Sequence, residues 1–366
     1  MKFNLSELVK IVNGYAFKSA DIVSDQSVYV IKIKNIQSSK ILLEKDSMTA
    51  EVDGLNKYQI KFNDILISLT GSGMNQMSSA VGKVGRFRHT QKAYLNQRVA
   101  KISSLDETKL TNDYLYYFLN RPEIQKDLVS VATGSANQVN ISPKIIGELS
   151  IDLPDLAEQE RITNMLTALD SKIEILESIN DNLLELAETM FSETFPQFRS
   201  DGNTIGDYIK PKRGKNLLSK NIIEGEVPVV AGGLKPAGFH NEANTVAPVI
   251  TISASGANAG FTNIWEENVW SSDSSYIDIT VTQNVYFWFL MLKKRQQEIF
   301  GAQTGSAQPH IYPKHIEEMP TGNIRDNEIS EFNKRIGPMF EVMGASSAEI
   351  KTLVNIRDTL IRKMLY

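Results

Sequence analysis

Two polar stretches of similar sequence, TGSANQVNISPK at 133–144 and TGSAQPHIYPK at 304–314, carry side chains suited to reading nucleic-acid bases. A carboxamide can pair its donor and its acceptor with the edge of an adenine, and Arg or Lys suits guanine. The candidate base-reading residues are Thr133, Ser135, Asn137 and Gln138 in the first stretch, and Thr304, Ser306, Gln308 and His310 in the second. Alternatively, these stretches are turns whose small polar residues satisfy only their own backbone.

Between Val81 and Lys101 the charged residues are all basic. They are Lys83, Arg86, Arg88, Lys92, Arg98 and Lys101. A run of this kind is either a solvated face or a surface that contacts phosphates, and we expect Lys83, Arg86, Arg88 and Arg98 to bind DNA. A shorter basic group, Lys212, Arg213 and Lys215, is assigned the same role in the second half of the chain.

A third set of polar residues follows apolar, strand-like runs. Thr70, Ser72 and Asn75 close the run that begins DILIS, and Ser255 and Asn258 follow ITIS. We expect these five residues to contact DNA from loops. The glycines beside them could instead serve only to provide a positive φ angle in a turn.

Catalytic motifs are missing from the chain. Pro154-Asp155 and Asp170-Ser171-Lys172 imitate a metal-nuclease signature, but the second group lies in a helical pattern and not on a strand. Gly82-Lys83 and Gly214-Lys215 lack the upstream glycine of a P-loop, and no Pro-Pro dipeptide provides the loop of an amino-methyltransferase. The four histidines lack metal-ligand spacing on a common helix, so no metal site is predicted.

One long helix must position these loops. From Leu153 to Phe195 apolar residues recur three or four apart, with Pro154 and Asp155 as a start signal and no glycine before Pro196. The predicted apolar seam consists of Leu166, Leu169, Ile173, Leu176, Leu183, Leu186 and Met190, with Asn180 as a polar residue that sets the register. About 40 residues would span roughly 60 Å, so such a helix needs a partner along its length.

The C-terminal segment offers that partner. Met339, Met343, Ile350, Leu353, Ile356, Leu360 and Met364 have similar spacing. The two helices form either an antiparallel pair within one chain or the seam of a dimer. Gly337-Pro338 and Gly344 interrupt the pattern, so the sequence leaves open whether the second helix is continuous before about Ala345.

The chain contains an internal repeat of a globular segment followed by a helix. DYLYYFLN corresponds to NVYFWFLM, and the offset between the halves falls from 200 to about 171, so the second globular segment is about 30 residues shorter. We therefore predict an α+β fold with mixed β-sheets, comprising globular domains at 1–152 and 203–325 and long helices at 153–196 and 326–366. The aromatic runs are expected to be core and not base-stacking platforms.

Composition is consistent with a cytoplasmic DNA-binding protein. Cysteine is absent, which suits a reducing compartment, and neither a signal peptide nor a run of 18 apolar residues occurs. The net charge is −4, but residues 1–150 hold 19 basic and 14 acidic residues, whereas 155–195 hold 2 and 10. The first globular segment is therefore basic, and the acidity lies on the central helix.

The order of these motifs, repeated twice, resembles the DNA-specificity subunit of type I restriction-modification enzymes. The resemblance covers VYVIKIKNI, DILISLTGSG, GEVPVVAGG with GFHNEA, the two TGSA loops, LPDLAEQERI and IRDTLIRKML. It implies two target-recognition domains that read the two halves of a split double-stranded DNA site and are separated by two long helices. It also implies a subunit without catalytic residues of its own.

The resemblance also implies partners and their cofactors. Two methyltransferase subunits would use S-adenosylmethionine, and two restriction subunits would use ATP and Mg²⁺, with no cofactor held by this chain. Two other hypotheses compete with this one. A stand-alone enzyme acting on DNA would show turnover by the purified chain, and a coiled-coil scaffold would show no salt-sensitive, sequence-selective DNA binding.

Overall fold

The structure is a computed structural model that describes residues 2–24, 26–37, 39–73, 81–135, 138–198, 200–305 and 308–365, with only the backbone described for Ser39 and Ser135. The chain forms two compact units. Unit 1 comprises Met1–Lys172 with Leu353–Tyr366, and unit 2 comprises Ile173–Thr352. Each unit thus combines one predicted globular segment with parts of both predicted helices. Across the described ranges, no helix is long and apolar enough to cross a membrane.

Unit 1 is built on mixed β-sheets. Its strands are β1 (Lys2–Asn4), β2 (Val9–Asn13), β3 (Val28–Ile31), β4 (Ile36–Gln37), β5 (Ser39–Ile41), β6 (Met48–Thr49), β7 (Gln59–Ile60), β8 (Ile65–Ser68), β9 (Thr70–Gly71), β10 (Val84–Arg86), β11 (Ala93–Leu95), β12 (Val99–Ser104), β13 (Thr133–Ser135), β14 (Gln138–Asn140) and β15 (Ser150–Asp152). They form sheets in the orders β2-β12-β8-β10-β5-β4, β6-β3-β11-β7, β13-β14-β9 and β1-β15. The pairs β5·β10 and β3·β11 are parallel, and the other strand pairs in these sheets are antiparallel.

Helices pack against the sheets of unit 1. They are α1 (Asn112–Leu119), α2 (Pro122–Ser130), α3 (Pro143–Gly147) and the first part of α4 (Leu156–Thr194), and short 3-10 helices lie at Leu5–Glu7, Ser19–Asp21, Ile33–Asn35 and Asn56–Tyr58. The Thr111 hydroxyl caps α1 by accepting the Tyr114 N–H at 3.1 Å. The aromatic run of α1 is buried, which confirms it as core, and Pro122 stands at the first position of α2.

Unit 2 repeats this plan with fewer strands. They are β16 (Lys212–Arg213), β17 (Val227–Val230), β18 (Gly238–His240), β19 (Val249–Ser253), β20 (Thr262–Trp265), β21 (Trp270–Ser271) and β22 (Ser274–Asp278). Its helices are α5 (Ile205–Tyr208), α6 (Val285–Lys294), α7 (Gln296–Gly301), α8 (Pro313–Glu317) and most of α9 (Asp326–Met364), with a 3-10 helix at Ser219–Asn221.

The topology confirms the internal repeat. The order β16-β22-β19-β20 in unit 2 matches β2-β12-β8-β10 in unit 1, and the parallel pair β17·β21 matches β3·β11. Between β3 and β8, unit 1 inserts the four short strands β4 to β7, whereas unit 2 has only β18 in the corresponding described interval. These inserted strands account for part of the greater length of the first globular segment.

In unit 1 the start of α4 packs beside the end of α9. Asp155 caps α4 by accepting the Glu158 N–H at 2.9 Å, as the sequence predicted. Ile162 and Leu166 share a buried core with Ile361 and Leu365, so the two helix segments run antiparallel within one chain.

A polar group locks the same helix pair to α1. Asp170 accepts hydrogen bonds from Tyr117 Oη at 2.7 Å and from Arg357 Nη1 at 3.0 Å. Burial, together with the neighbouring Asp170, raises the pKa of Tyr117, so the phenol stays protonated and remains a donor.

In unit 2 the end of α4 packs beside the start of α9, again antiparallel. Ala187 and Phe191 lie in one core with the Ile329, Phe332, Ile336 and Phe340 side chains of α9. Asn180 Nδ2 donates to Met343 O at 3.4 Å and to Ser347 Oγ at 3.3 Å, so this residue faces the partner helix as predicted.

The predicted seam needs correction by about one residue near its end. Leu186 is 47% exposed and Ile356 is 45% exposed, whereas the neighbouring Ala187 and Phe191 are fully buried. A straight helix has 3.6 residues per turn, so positions seven apart rotate slowly around its axis. Toward the end of the predicted seam, the residues that face the core are therefore shifted by about one position in the sequence.

The second helix is continuous, since α9 runs from Asp326 to Met364 with Pro338 inside it. A proline within a helix removes one backbone hydrogen bond and costs about 3 kcal/mol. The fully buried Ile336 and Phe340 on either side of Pro338 offset that cost by packing in the unit 2 core.

Gly344 is explained by a close contact within unit 2. A Cβ atom there would lie 2.8 Å from Glu266 Cβ, so only glycine lets this side chain approach the helix. Glu266 accepts a hydrogen bond from Tyr286 Oη at 3.1 Å, while its Oε1 is buried without a hydrogen-bond partner among the described residues. Burial raises the pKa of Glu266 to about 7, and the nearby Glu341 adds to the increase.

Phe191→Ala should destabilise unit 2 by about 3–5 kcal/mol, because a fully buried ring is removed from a cluster with Phe287 and Phe332. All three tryptophans, Trp265, Trp270 and Trp288, lie in unit 2, so tryptophan fluorescence during denaturant unfolding reports on this unit. Leu186→Ala on the same helix is the control and should cost about 0.5 kcal/mol or less. Equal losses in both variants would contradict this packing of α4.

Glu266→Gln should reduce the pH dependence of unit 2 stability. Because the folded state holds this proton more tightly than the unfolded chain, the stabilisation is complete below about pH 4.5 and is lost as the pH rises through about 7. Between pH 5 and pH 8, wild-type stability should therefore fall relative to that of the variant, measured by tryptophan fluorescence. Tyr286→Phe should extend the fall to higher pH, since its hydroxyl stabilises the carboxylate of the folded state, and parallel curves for all three proteins would refute the assignment.

Candidate nucleic-acid interface

In unit 1 the first polar stretch packs at the end of β8, an inner strand that we call the central strand of unit 1, and β19 is its counterpart in unit 2. β13 and β14 form a hairpin, and β14 pairs with β9, which follows β8 directly. Gly134 has a φ of +141°, and a Cβ atom there would lie 2.4 Å from Gln138 O, so the hairpin requires glycine. The buried Thr70 hydroxyl donates to Asn140 Oδ1 at 2.7 Å and fixes the second strand. Thr133 and Gln138 are exposed at this place.

In unit 2 the second polar stretch takes the corresponding position. Thr304 and His310 exchange backbone hydrogen bonds of 3.0 and 2.8 Å, and His310 also forms a bridge with Ser255, just after β19. Gly305 has a φ of +95°, and its Cβ would lie 2.6 Å from Gln308 O, which repeats the requirement at Gly134. Thr304 and Gln308 are exposed and His310 is partly exposed.

Two backbone hydrogen bonds at each strand end, one of them to the polar stretch, identify equivalent positions in the two units. In unit 1 Leu69 N–H donates to Arg98 O at 2.9 Å, and Ile141 N–H donates to Leu69 O at 3.0 Å. In unit 2 Ala254 N–H donates to Asp273 O at 3.1 Å, and Ile311 N–H donates to Ala254 O at 2.9 Å. Arg98 and Asp273 therefore occupy the same place in the repeat.

We call the residues gathered at these places the unit 1 platform and the unit 2 platform. The unit 1 platform consists of Thr70, Arg98, Thr133, Gln138 and Asn140, and the unit 2 platform consists of Arg213, Ser255, Asp273, Thr304, Gln308 and His310. The structure thus brings together residues that are up to 97 positions apart in the sequence of unit 2. Both platforms combine hydroxyl, amide or imidazole groups with one guanidinium, which is a set of groups suited to base edges and phosphates.

The basic run of unit 1 is divided between surface and interior. Arg98 is exposed and lines a cavity of about 340 Å³ together with Lys32 and Asn96. Lys83 is partly buried, and its backbone N–H donates to Ser68 Oγ at 2.9 Å. Arg88 lies over the Phe62 ring and donates to Asn63 Oδ1.

The expectation that Arg86 contacts phosphate needs correction. Its side chain is only 6% exposed, so it is not accessible to DNA. Its guanidinium lies 4.1 Å from the centroid of the Tyr116 ring, and Nη2 lies 3.0 Å from Asp113 Oδ1. This is an ion pair without hydrogen-bond geometry, since Nε and Nη2 make no hydrogen bond to any described residue. The alternation of side chains along β10 turns Arg86 toward α1, so its role is packing.

The basic group of unit 2 lies on β16 and just beyond it, and its side chains are exposed. Lys212 Nζ donates to Thr280 Oγ1 at 2.8 Å, and Arg213 Nη2 donates to Asp273 Oδ1 at 2.8 Å. The Lys215 backbone is fixed, because its carbonyl accepts the Trp270 indole N–H at 2.8 Å, and its ammonium is left on the surface.

The remaining predicted residues have mixed outcomes. Asn258 Nδ2 donates to Gly232 O at 3.3 Å, which ties it to the loop beside Ser255, and Ser72 is partly exposed close to β9. Asn75, Asn137 and Ser306 lie outside the described residues, as does the side chain of Ser135. Among the residues that are described, no group of three or more His, Asp or Glu side chains could hold a metal ion.

Two platform residues, Asn140 and Asp273, were not among the residues selected from the sequence. Asn140 stands two positions after Gln138, so its alternation along a strand was a usable signal. Asp273 lies in no recognisable sequence motif. Its equivalence to Arg98 is apparent only when the hydrogen bonds of Ala254 are compared with those of Leu69.

Comparison with known proteins gives a consistent result. A family model described as the type I restriction modification DNA specificity domain matches residues 1–185. A putative type I specificity subunit from Mycoplasma genitalium is 26% identical over 350 residues, which cover 88% of this chain and 89% of that protein. The specificity subunit of the type I restriction enzyme MjaVIII from Methanocaldococcus jannaschii is 30% identical over 175 residues, or 47% of this chain and 39% of that protein.

The fold has a solved counterpart. The crystal structure of a type I restriction-modification S subunit from M. genitalium superposes with a TM-score of 0.61 at 20% identity, covering all of this chain and 96% of that one. The comparisons support neither a stand-alone enzyme nor a coiled-coil scaffold with incidental globular parts.

Arg86→Ala and Arg98→Ala should have opposite consequences. Arg86→Ala should lower the stability of unit 1 by about 1–3 kcal/mol and leave DNA affinity of the folded protein unchanged. Arg98→Ala should change stability by about 0.5 kcal/mol or less, weaken binding to duplexes of any sequence, and reduce the slope of log affinity against log salt by about 1.

Hydrogen exchange of unit 1 peptides and a salt titration of DNA binding measure these two effects. Equal loss of DNA affinity in both variants would show that the buried position of Arg86 has no bearing on its role.

Proposed function

The chain belongs to the type I restriction-modification DNA specificity family, and from this membership we propose that each of its two units reads one half of a bipartite double-stranded DNA site. The observation that carries the proposal is the repeated platform. The same backbone hydrogen bonds present polar side chains at the end of the central strand in both units. As a specificity subunit, the chain has the role of recognition and not of catalysis.

The two platforms have equivalent backbone hydrogen bonds but present different side chains. Recognition of two different half-sites requires such a difference. Unit 1 presents the amide of Gln138, and Asn140 is held by Thr70, whereas unit 2 presents Gln308 and the ring of His310. Base edges differ in their donors and acceptors, so different side chains on one scaffold select different bases. We propose the same role for Asn75, Asn137 and Ser306 and for the hydroxyl groups of Ser72, Thr133, Ser135 and Thr304.

Phosphate contacts come from exposed or partly exposed cations of each unit, not all of which lie beside a platform. We assign them to Arg98 and the partly exposed Lys83 and Arg88 in unit 1, and to Lys212 and Lys215 in unit 2. These contacts would provide affinity and fix the orientation of the duplex, without sequence information. Asn258 would act indirectly, by holding the loop at Gly232 next to Ser255.

The long helices carry an apolar stripe that fits a protein partner. Within unit 2, Ile175, Ile179 and Leu186 of α4 are 56%, 39% and 47% exposed. Their spacing places them within about 40° of one another around the helix. With 10 acidic and 2 basic residues over 155–195, this helix would repel DNA and is suited to a protein surface.

We assign this stripe to a methyltransferase subunit. In the full complex, the chain would act in the cytoplasm with two methyltransferase and two restriction subunits. S-adenosylmethionine, ATP and Mg²⁺ would be held by those partners, and this chain would hold no cofactor.

The test is to express the chain together with the methyltransferase subunit of its own system and to map methylated bases in the host genome. Methylation should appear only in the presence of both proteins, at one motif made of two fixed half-sites and an unspecified spacer. The purified chain alone, with Mg²⁺, ATP and S-adenosylmethionine, should neither methylate nor cleave DNA.

A matched control separates recognition from assembly. The variant Ile175→Ser, Ile179→Ser, Leu186→Ser should bind DNA as the wild type does but give no methylation, because only the partner surface is changed. Methylation by the chain alone, or a motif without two halves, would overturn the proposal.

A further inference from the structure

Arg213 is the guanidinium of the unit 2 platform, and its position is set by two neighbours. Asp273 Oδ1 accepts from Arg213 Nη2 at 2.8 Å, and Asp273 Oδ2 accepts from the Ser255 hydroxyl. The backbone of Asp273 is fixed as well, since its carbonyl accepts the Ala254 N–H. Apart from Arg213, Asp273 is therefore held at two points, by the Ser255 hydroxyl at its carboxylate and by the Ala254 N–H at its backbone carbonyl.

Two independent strand registers show that unit 1 carries a different pair at the same place. Arg213 pairs with Ser275 between β16 and β22, and Asn13 pairs with Ala100 between β2 and β12. Asp273 lies two residues before Ser275, just as Arg98 lies two residues before Ala100. Unit 1 thus places a neutral amide opposite a cation, whereas unit 2 places a cation opposite an anion.

The hydrogen bonds of Arg213 and Asp273 indicate which of the two side chains is available to contact DNA. Each carboxylate oxygen of Asp273 already accepts one hydrogen bond from a neighbouring side chain, so fewer lone pairs remain to accept from a cytosine amino group. Arg213 uses only Nη2, and its Nε and Nη1 make no hydrogen bond to any described residue. The Arg213 side chain is 42% exposed and that of Asp273 is 33% exposed, so the guanidinium is the more accessible group.

We propose that Arg213, held by Asp273 and Ser255, reads a guanine in the half-site of unit 2. A guanidinium fixed in one plane can donate two parallel hydrogen bonds to O6 and N7 of guanine in the major groove. Asp273 neutralises the charge of Arg213, which weakens its general attraction to phosphate and leaves the directional contact as its main contribution. In this role Asp273 and Ser255 are positioning residues. The inference rests on the proposed function, because it requires unit 2 to bind duplex DNA.

The experiment selects bound sequences from a library of duplexes with randomised positions, using the full chain together with its methyltransferase subunit. The wild type should select a G·C pair at one position of the half-site that depends on unit 2. Arg213→Gln should reduce the preference for guanine there by about tenfold or more and leave the other half-site unchanged.

Lys212→Gln provides a control matched in charge and in position along the chain. It removes one positive charge from the adjacent residue of the same strand, which faces Thr280 and not Asp273. This variant should bind all sequences more weakly and keep the selected motif. If both variants keep the motif, or if the position lost in Arg213→Gln is an A·T pair, the inference is overturned.

Asp273→Asn separates base reading from phosphate binding. The substitution frees the charge of Arg213, so affinity for random DNA should rise, while the preference for guanine at the same position should fall several-fold. Ser255→Ala should give a smaller fall at that position and no rise in general affinity. If Asp273→Asn raises affinity equally for all sequences, Arg213 is a phosphate contact and the inference is wrong. A wild-type chain that selects no motif at all would instead refute the proposed function.

Discussion

The candidate interface depends on the backbone hydrogen bonds of one buried residue at the end of each central strand. Leu69 in unit 1 and Ala254 in unit 2 are almost fully buried, and each donates its N–H to one segment and accepts from another with its carbonyl. A buried backbone group without a partner costs about 1–3 kcal/mol, so both neighbouring segments are drawn to the strand end. Each polar stretch is held at the strand end because it supplies one of those partners, the N–H of Ile141 in unit 1 and the N–H of Ile311 in unit 2.

This constraint separates the scaffold from what the scaffold displays. The same backbone hydrogen bonds recur in both units, and Gly134 and Gly305 both have a positive φ angle, so this scaffold is shared by platforms whose outward side chains differ. Asn13 and Arg98 can therefore stand where Arg213 and Asp273 stand without any change in the sheet order. Such an arrangement lets a binding surface change its target while the core is preserved.

The long helices follow a different logic, because their stability comes from the cores at which they begin and end. Ile162 and Leu166 of α4 are buried in unit 1, and Ala187 and Phe191 are buried in unit 2. Between these anchors exposed apolar residues such as Ile175 remain on the surface. The packing of Ile336 and Phe340 also explains why Pro338 does not end α9, since tertiary contacts outweigh a local helix penalty of about 3 kcal/mol.

Several features were determined by the sequence alone. The repeat, the α+β class, the aromatic core of α1, the N-terminal cap at Asp155 and the facing position of Asn180 all follow from local periodicity or capping chemistry. The polar turns could be selected in the same way, because glycine with small polar residues between apolar runs has few other uses. These signals are local in the sequence, even where the contact that they predict, such as that of Asn180 with Met343, joins distant segments.

The tertiary structure alone decided which charges are available. Arg86 and Arg98 look equivalent in the sequence, yet one is stacked on Tyr116 and the other is exposed. Asp273 gained its importance only through contacts with Arg213 and Ser255, which are 60 and 18 residues away. Burial and pairing of a charge depend on contacts between distant segments, and no spacing along the chain encodes them directly.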